Sequence, residues 1–328
     1  MEWIDRYQGT GRRGFREETR EEYRATLERY ALRYFPPSTT VAQIGPREIA
    51  DFVAWLVKQP NRSGGTLSDS SVRNALGPLS ACLATARREG LILHNPAVDA
   101  ALPHRDAISD DLERRPLTRR QLADFLECVH ADYGLLFDFA GRTGLRASEL
   151  LGLDGRHLQL DADQPHVRVR QRWRATKRDG KYQGQLGPVK TRYGRRKVPL
   201  ASDLVGRLRA LQVDPYGPVF ASQASTRLDR DNVRNRIIKP AAEEAGVPWC
   251  GWHTFRHTCA SILFADGRNV VQVQRWLGHH APSFTLDTYV HLMEDDIGEP
   301  LGAPAMTAVA PPDAEVGDQL ALLGASDG

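Results

Sequence analysis

Residues 143–149 read Thr143-Gly144-Leu145-Arg146-Ala147-Ser148-Glu149, and downstream of them stand His253-Thr254-Phe255-Arg256-His257, Leu277-Gly278-His279 and Thr288-Tyr289. The Thr143-Gly144 break followed by the run Ala147 to Leu151 predicts a new helix with Arg146 at its rigid start. In this order the blocks bring two arginines, two histidines and a tyrosine to one site. Arginine offers a planar donor fork matched to phosphate oxygens. Histidine moves a proton near neutral pH, and tyrosine can attack as an oxyanion. The set suits phosphoryl transfer through a covalent tyrosyl intermediate. An unperturbed tyrosine titrates near 10, so ionising Tyr289 at pH 7 costs roughly 4 kcal/mol, part of which neighbouring positive charge or a proton acceptor must supply.

The 328-residue chain is long enough for two domains with cores of their own, and 41% hydrophobic with 26% charged residues is ordinary for a soluble globular protein. Its start, Met1-Glu2-Trp3-Ile4-Asp5-Arg6, is charged, and no apolar run reaches the length of a membrane span, so a cytoplasmic protein without membrane contact is expected. Cys82, Cys128, Cys250 and Cys259 show no Cys-x-x-Cys spacing and read as reduced thiols. The net charge of +3 understates the basic body: residues 292–328 hold eight acids and no Lys or Arg, so residues 1–291 carry +11. Between His166 and Leu200 twelve Lys or Arg stand against one acid, Asp179. A solvated charged face explains such a run when it stands alone. Beside the arginine and histidine blocks, a polyanionic partner explains it better.

Working outward from Arg146, helices dominate. Glu18 to Tyr34, a helix opening at Gly45-Pro46-Arg47-Glu48, and Ser68 to Glu89 predict a small helical domain over residues 17–103, after an extension over 1–16. Prolines and charges from Asn95-Pro96 to Arg115-Pro116 mark a linker at 104–116. A second domain over 117–292 opens with the capping pattern Thr118-Arg119-Arg120-Gln121. An apolar helix covers Leu135 to Phe139. Further helices carry His253 to Phe264 and Val270 to Leu277. The alternation Val167 to Trp173, and then Arg196 to Leu200, predicts strands around a Gly-containing turn and the one sheet of the chain. The fold class is therefore mainly α with a small antiparallel β-sheet, ending in an acidic tail over 293–328.

His253 and His257, four apart and near Cys259 and His279, also raise the possibility of zinc. The pair lacks the glutamate of a metalloprotease helix, and Arg256 between them opposes a cation. Neither a nucleotide fingerprint nor a Gly-Lys-Ser/Thr loop is present, so no cofactor and no metal is expected.

The ordered blocks resemble the tyrosine recombinase, or phage integrase, family over roughly residues 17–292. The resemblance implies a helical core-binding (SAM-like) DNA-binding domain and a mixed α/β catalytic domain that close as a clamp around duplex DNA. It makes Tyr289 the nucleophile, Arg146 and Arg256 the clamp on the nonbridging phosphate oxygens, His253 the proton-transfer residue and His279 a donor to phosphate. Lys190, in Pro188-Val189-Lys190-Thr191-Arg192, matches the family's hairpin lysine, which protonates the departing 5′ oxygen; Lys177, Lys181 and Lys197 share that basic segment. Glu149 would orient an active-site side chain, and Arg192, Arg195 and Arg196 would contact DNA. The product is a 3′-phosphotyrosyl link, formed in a tetramer on two double-stranded DNA sites, with room for accessory proteins. The sixteen residues before the first predicted helix are too few for the arm-binding domain of larger phage integrases. Val309 to Leu323, with Leu320, Leu322 and Leu323, suit either a helix packed on a neighbouring protomer or a disordered extension. A type IB topoisomerase relaxing supercoils as a monomer, or a DNA-binding regulator without catalysis, are the alternatives.

Overall fold

A computed structural model describes residues 2–9, 14–61, 64–102, 115–178, 181–189 and 191–283, with backbone alone at 175–178 and 181–183. The chain folds as two compact units, Met1–Asp110 and Asp111–Gly328. It is mostly helical with small antiparallel sheets.

The first unit is built on three long helical segments. One runs from Glu17–Thr26 through a wider π-turn, Leu27–Ala31, to Leu32–Tyr34; the others are Pro46–Val57 and Asp69–Arg88. Local chemistry sets their starts. Pro46 occupies a first-turn position where its missing N–H costs nothing, Glu48 accepts from the Gly45 N–H at 2.9 Å, and Ser68 caps Asp69–Arg88 through the Ser71 N–H. Ile49, Phe52, Val53 and Leu56, at helical spacing, bury one stripe against Leu76, Leu79 and Leu83. Residues 1–16 are expected as an N-terminal extension, with no helix predicted in them. Instead Glu2–Arg6 is a helix with Ile4 fully buried, and the buried Arg20 donates to the carbonyls of Ile4 and of Asp5, the latter at 2.9 Å.

In the second unit Thr118 and Gln121 cap Arg119–Cys128 reciprocally: Gln121 N–H donates to Thr118 Oγ1 at 3.1 Å and Thr118 N–H to Gln121 Oε1 at 3.0 Å. Helices Ala131–Thr143 and Trp252–Ala265 pack through aromatic rings: Phe255 lies 5.2 Å from both Phe125 and Phe137, centroid to centroid. Phe255 is thereby an anchor for Arg256, its neighbour in sequence.

Among the described residues two sheets form where one was expected. Strands β1 (Leu158–Gln159), β2 (His166–Val169) and β5 (Arg196–Pro199) pair antiparallel in the order β1-β2-β5. Strands β3 (Gln171–Arg178) and β4 (Lys181–Pro188) form a separate two-stranded hairpin. The stretch Val167 to Trp173 is thus divided at Arg170: Val167 faces Val198 of β5, whereas Trp173 faces Leu186 of β4. Continuous alternation does not reveal that break, because it is set by two different partner strands, 31 residues on for Val167 and 13 for Trp173. Gly184 is required in β4, since a Cβ there would fall inside the Trp173 ring.

Candidate active site

Helix Ala131–Thr143 ends in a left-handed turn at Gly144 (φ +62°), whose N–H bonds the Ala140 carbonyl at 3.0 Å. A side chain is excluded there twice over, by φ and by contact: a Cβ would lie 2.6 Å from Leu277 Cδ2 and 3.0 Å from Cys259 Sγ. The chain then turns at once into the single helical turn Ala147–Leu150, with Arg146 as its N-cap. Glu149 reaches back to bond Arg146 twice. Its Oε2 accepts the Arg146 backbone N–H at 3.1 Å and its Oε1 the Arg146 Nη1 at 2.9 Å. Arg146 is 38% exposed in its side chain and Glu149 only 5%, so a buried carboxylate orients a guanidinium that still reaches solvent.

Arg256, buried on helix Trp252–Ala265, ties two motif blocks together. Its Nη1 donates to the Gly144 carbonyl at 2.7 Å and its Nη2 to the Leu277 carbonyl at 2.8 Å. Helix Val270–Leu277 ends at Gly278, again left-handed (φ +70°) and again packed without room, since a Cβ would lie 2.7 Å from the Tyr193 carbonyl. The following His279 is buried and held at both backbone groups by Gln274: its N–H bonds the Gln274 carbonyl at 3.1 Å, and Gln274 Nε2 donates to the His279 carbonyl at 2.7 Å. Two glycine turns distant in sequence therefore meet at one guanidinium, and the Tyr193 segment packs against the second of them.

The electrostatics of this cluster are one-sided. Burial alone would push the Glu149 carboxyl up, but Arg196, Arg146 and Arg256 together hold it below its ordinary value. It is an anion at neutral pH. Burial, followed by the charges of Arg256, Arg146, Arg196 and His257, drives His279 down to about 3. Its imidazole is neutral at pH 7, with one N–H to donate. The cluster holds excess positive charge around one buried carboxylate, which suits an oxyanion.

The structure brings Arg146, Glu149, Arg256 and His279 together. His253 lies on the same helix one turn before Arg256 and is exposed. Arg192 and Arg195 are exposed, the former donating to Tyr193 Oη at 2.8 Å. Arg196 departs from the surface role expected of it. Its side chain is 5% exposed, and it bonds Glu149 Oε2 at 2.9 Å, the Trp276 carbonyl at 2.7 Å and the Gly194 carbonyl at 3.2 Å. The signal was present in β5: Arg196 is in phase with the inward Val198 and out of phase with the exposed Lys197 and Pro199. Lys190 and Tyr289 lie outside the described residues, as do residues 104–114 of the expected linker and the tail. Among the described residues, no group of three or more His, Cys, Asp or Glu could hold a metal ion, and no helix is long and apolar enough to cross a membrane.

The pattern of the phage integrase family matches residues 115–295, and that of the phage integrase SAM-like domain residues 1–101. The ICEBs1 integrase of Bacillus subtilis (strain 168) is 25% identical over 274 residues, which are 77% of this chain and 68% of that protein. The tyrosine recombinase XerD of Pseudomonas aeruginosa is 26% identical over 299 residues, 85% of this chain and 88% of its own. Among solved structures, the Tn1549 transposon integrase in complex with transposon right end DNA superposes with a TM-score of 0.66 at 19% identity, over 88% of this chain and 92% of that one. That last likeness is one of fold.

Proposed function

The chain belongs to the phage integrase family and is a site-specific tyrosine recombinase, and from that premise we propose that Arg146 and Arg256 bind the scissile phosphate of duplex DNA while Tyr289 attacks it. The observation that supports this reading is the convergence of Arg146, Arg196 and Arg256 around one buried carboxylate, Glu149, that is already paired. A phosphate diester supplies the negative charge that such a cluster lacks.

In the proposed step Tyr289 Oη forms a bond to phosphorus and the bond from phosphorus to the 5′ oxygen breaks. The phenolic proton passes to His253, and Lys190 protonates the departing 5′ oxygen. His279, neutral, donates to a nonbridging oxygen; a neutral donor stabilises the transition state without binding the ground-state anion as a full charge does. The enzyme is left with a 3′-phosphotyrosyl ester, and a 5′ hydroxyl of a partner duplex reverses the chemistry. The ester conserves the bond energy, so rejoining needs no nucleotide. Exposed Arg192 and Arg195 serve the DNA backbone, and exchange between two duplexes takes place in a tetramer of protomers.

The test incubates the protein with fragmented genomic DNA of its source in EDTA, traps adducts with detergent and sequences the attached ends, with Tyr289→Phe as control. Adducts that depend on Tyr289 and recur at one sequence are expected. Their absence under conditions of demonstrated DNA binding would overturn the cleavage reading.

A further inference from the structure

We infer that Arg196 is a positioning residue of the recombination site, one that locks the Arg146 loop and the Leu277-Gly278-His279 turn into a single arrangement. The inference rests on the strand-cleavage reading above for its link to activity, but its geometric part stands apart from it. Arg196 is the first residue of β5, six residues after Lys190, and its guanidinium ends are divided among three places. Nη2 bonds the same Glu149 oxygen that accepts the Arg146 backbone N–H. Nε bonds the Trp276 carbonyl, in the last turn of the helix that delivers His279. Nη1 bonds the Gly194 carbonyl and so fixes the short turn Arg192–Gly194 that leads into β5.

Contact reinforces the bonds. A Cβ on Gly278 would lie 3.0 Å from Arg196 Cδ, so the stem of Arg196 lies directly against the glycine turn. Glu149 orients Arg146, and Arg196 in turn orients Glu149. Both side chains are 5% exposed, a depth at which a bidentate or divided guanidinium has geometric work that an ammonium cannot do. The arrangement complements that of Arg256: Arg256 joins the Gly144 turn to Leu277, and Arg196 joins Glu149 to Trp276. Two guanidiniums thus brace the same pair of loops through different partners. Arg196 touches the orienting residues and not the phosphate.

The test compares full-length wild type with Arg196→Lys and Arg196→Met in adduct formation on genomic fragments, as a function of DNA concentration. Lysine keeps the charge and cannot make the three divided bonds; methionine keeps a similar stem and loses the charge. Both are expected to lower the rate at saturating DNA by about tenfold to a hundredfold, the scale of a misplaced reacting group. The DNA concentration for half saturation should change by less than about threefold. Val205→Ala, a core truncation in the Ser202–Ala210 helix, is the control for lost stability and should keep the wild-type rate. An Arg196→Lys rate within about twofold of wild type, or a loss that Val205→Ala reproduces at equal thermal stability, would overturn the inference.

A second readout needs no DNA. The ring resonances of His279, followed by NMR at pH 7, should move in Arg196→Lys, where the charge is unchanged and the bonds are not. Resonances that stay in place overturn the positioning role. If wild type forms no adduct and the His279 resonances still move, the cleavage reading fails and the positioning role stands.

Discussion

His279 carries a consequence for stability that its burial makes calculable. In the unfolded chain its imidazole titrates near 6.5, and in the folded chain burial and three arginines hold it at about 3. Between those values the unfolded chain binds a proton that the folded chain refuses. Its stability contribution is therefore intact above about pH 6.5 and is lost as pH falls toward 3. At pH 5 the loss is about 2 kcal/mol, from about 1.5 units at 1.36 kcal/mol each. Glu149 also destabilises the fold on acidification, but its contribution is intact above the ordinary carboxylate value and lost only as pH passes through its lowered one. Urea unfolding of wild type and His279→Asn at pH 7 and pH 5 separates the two. The wild type should lose about 2 kcal/mol more than the variant over this interval; parallel losses would show that the imidazole is not held neutral.

At the scale of elements, the site depends on two helix ends more than on any helix interior. Gly278 and Gly246 make the comparison direct, since both are left-handed turns after helices, at φ +70° and +69°. A Cβ on Gly246 meets nothing within 4 Å, whereas one on Gly278 lies 2.7 Å from a backbone carbonyl. Gly246→Ala should cost about 1 kcal/mol, the penalty of the conformation alone. Gly278→Ala adds overpacking of about 1–3 kcal/mol, and it displaces the turn that places His279. Thermal unfolding should rank the two in that order, and adduct formation should fail only in Gly278→Ala. Equal effects in both assays would mean that φ, and not the contact with Tyr193, sets the requirement.

The same elements show what was legible beforehand. Helix starts were, because their signals are local: Pro46 and Glu48, Ser68, and Thr118 with Gln121 act within one turn. The Arg146 helix end was legible for the same reason. The division at Arg170, the packing of Glu2–Arg6 under Arg20 and the inward turn of Arg196 were not read, because each is decided by a partner far along the chain. For Arg196 the period-two phase with Val198 was available, but the density of positive charge around it favoured a surface reading. The candidate site residues were singled out by type and order. Their mutual orientation, with Glu149 shared between two arginines, is a product of tertiary contact.

For the whole molecule the uneven distribution of charge makes a prediction about DNA affinity. Residues 300–328 carry Asp313, Glu315, Asp318 and Asp327 and no Lys or Arg, so their removal takes the formal charge from +3 to +7. If the segment acts on DNA only through its field, truncation strengthens non-specific binding at low salt by several-fold. The gain should then vanish near 0.3 M salt, where the screening length falls to about 5 Å. The slope of log affinity against log salt should change little, because that slope counts phosphates neutralised by contact and the segment contributes no cation. Adduct positions on genomic DNA should also be unchanged. A different outcome identifies a different role: weaker assembly of protomers on DNA after truncation, with monomer affinity improved or unaltered, would assign the segment to contact between protomers. Titration of binding and sedimentation of the bound complexes at two salt concentrations, with the full and shortened chains side by side, distinguishes field from contact.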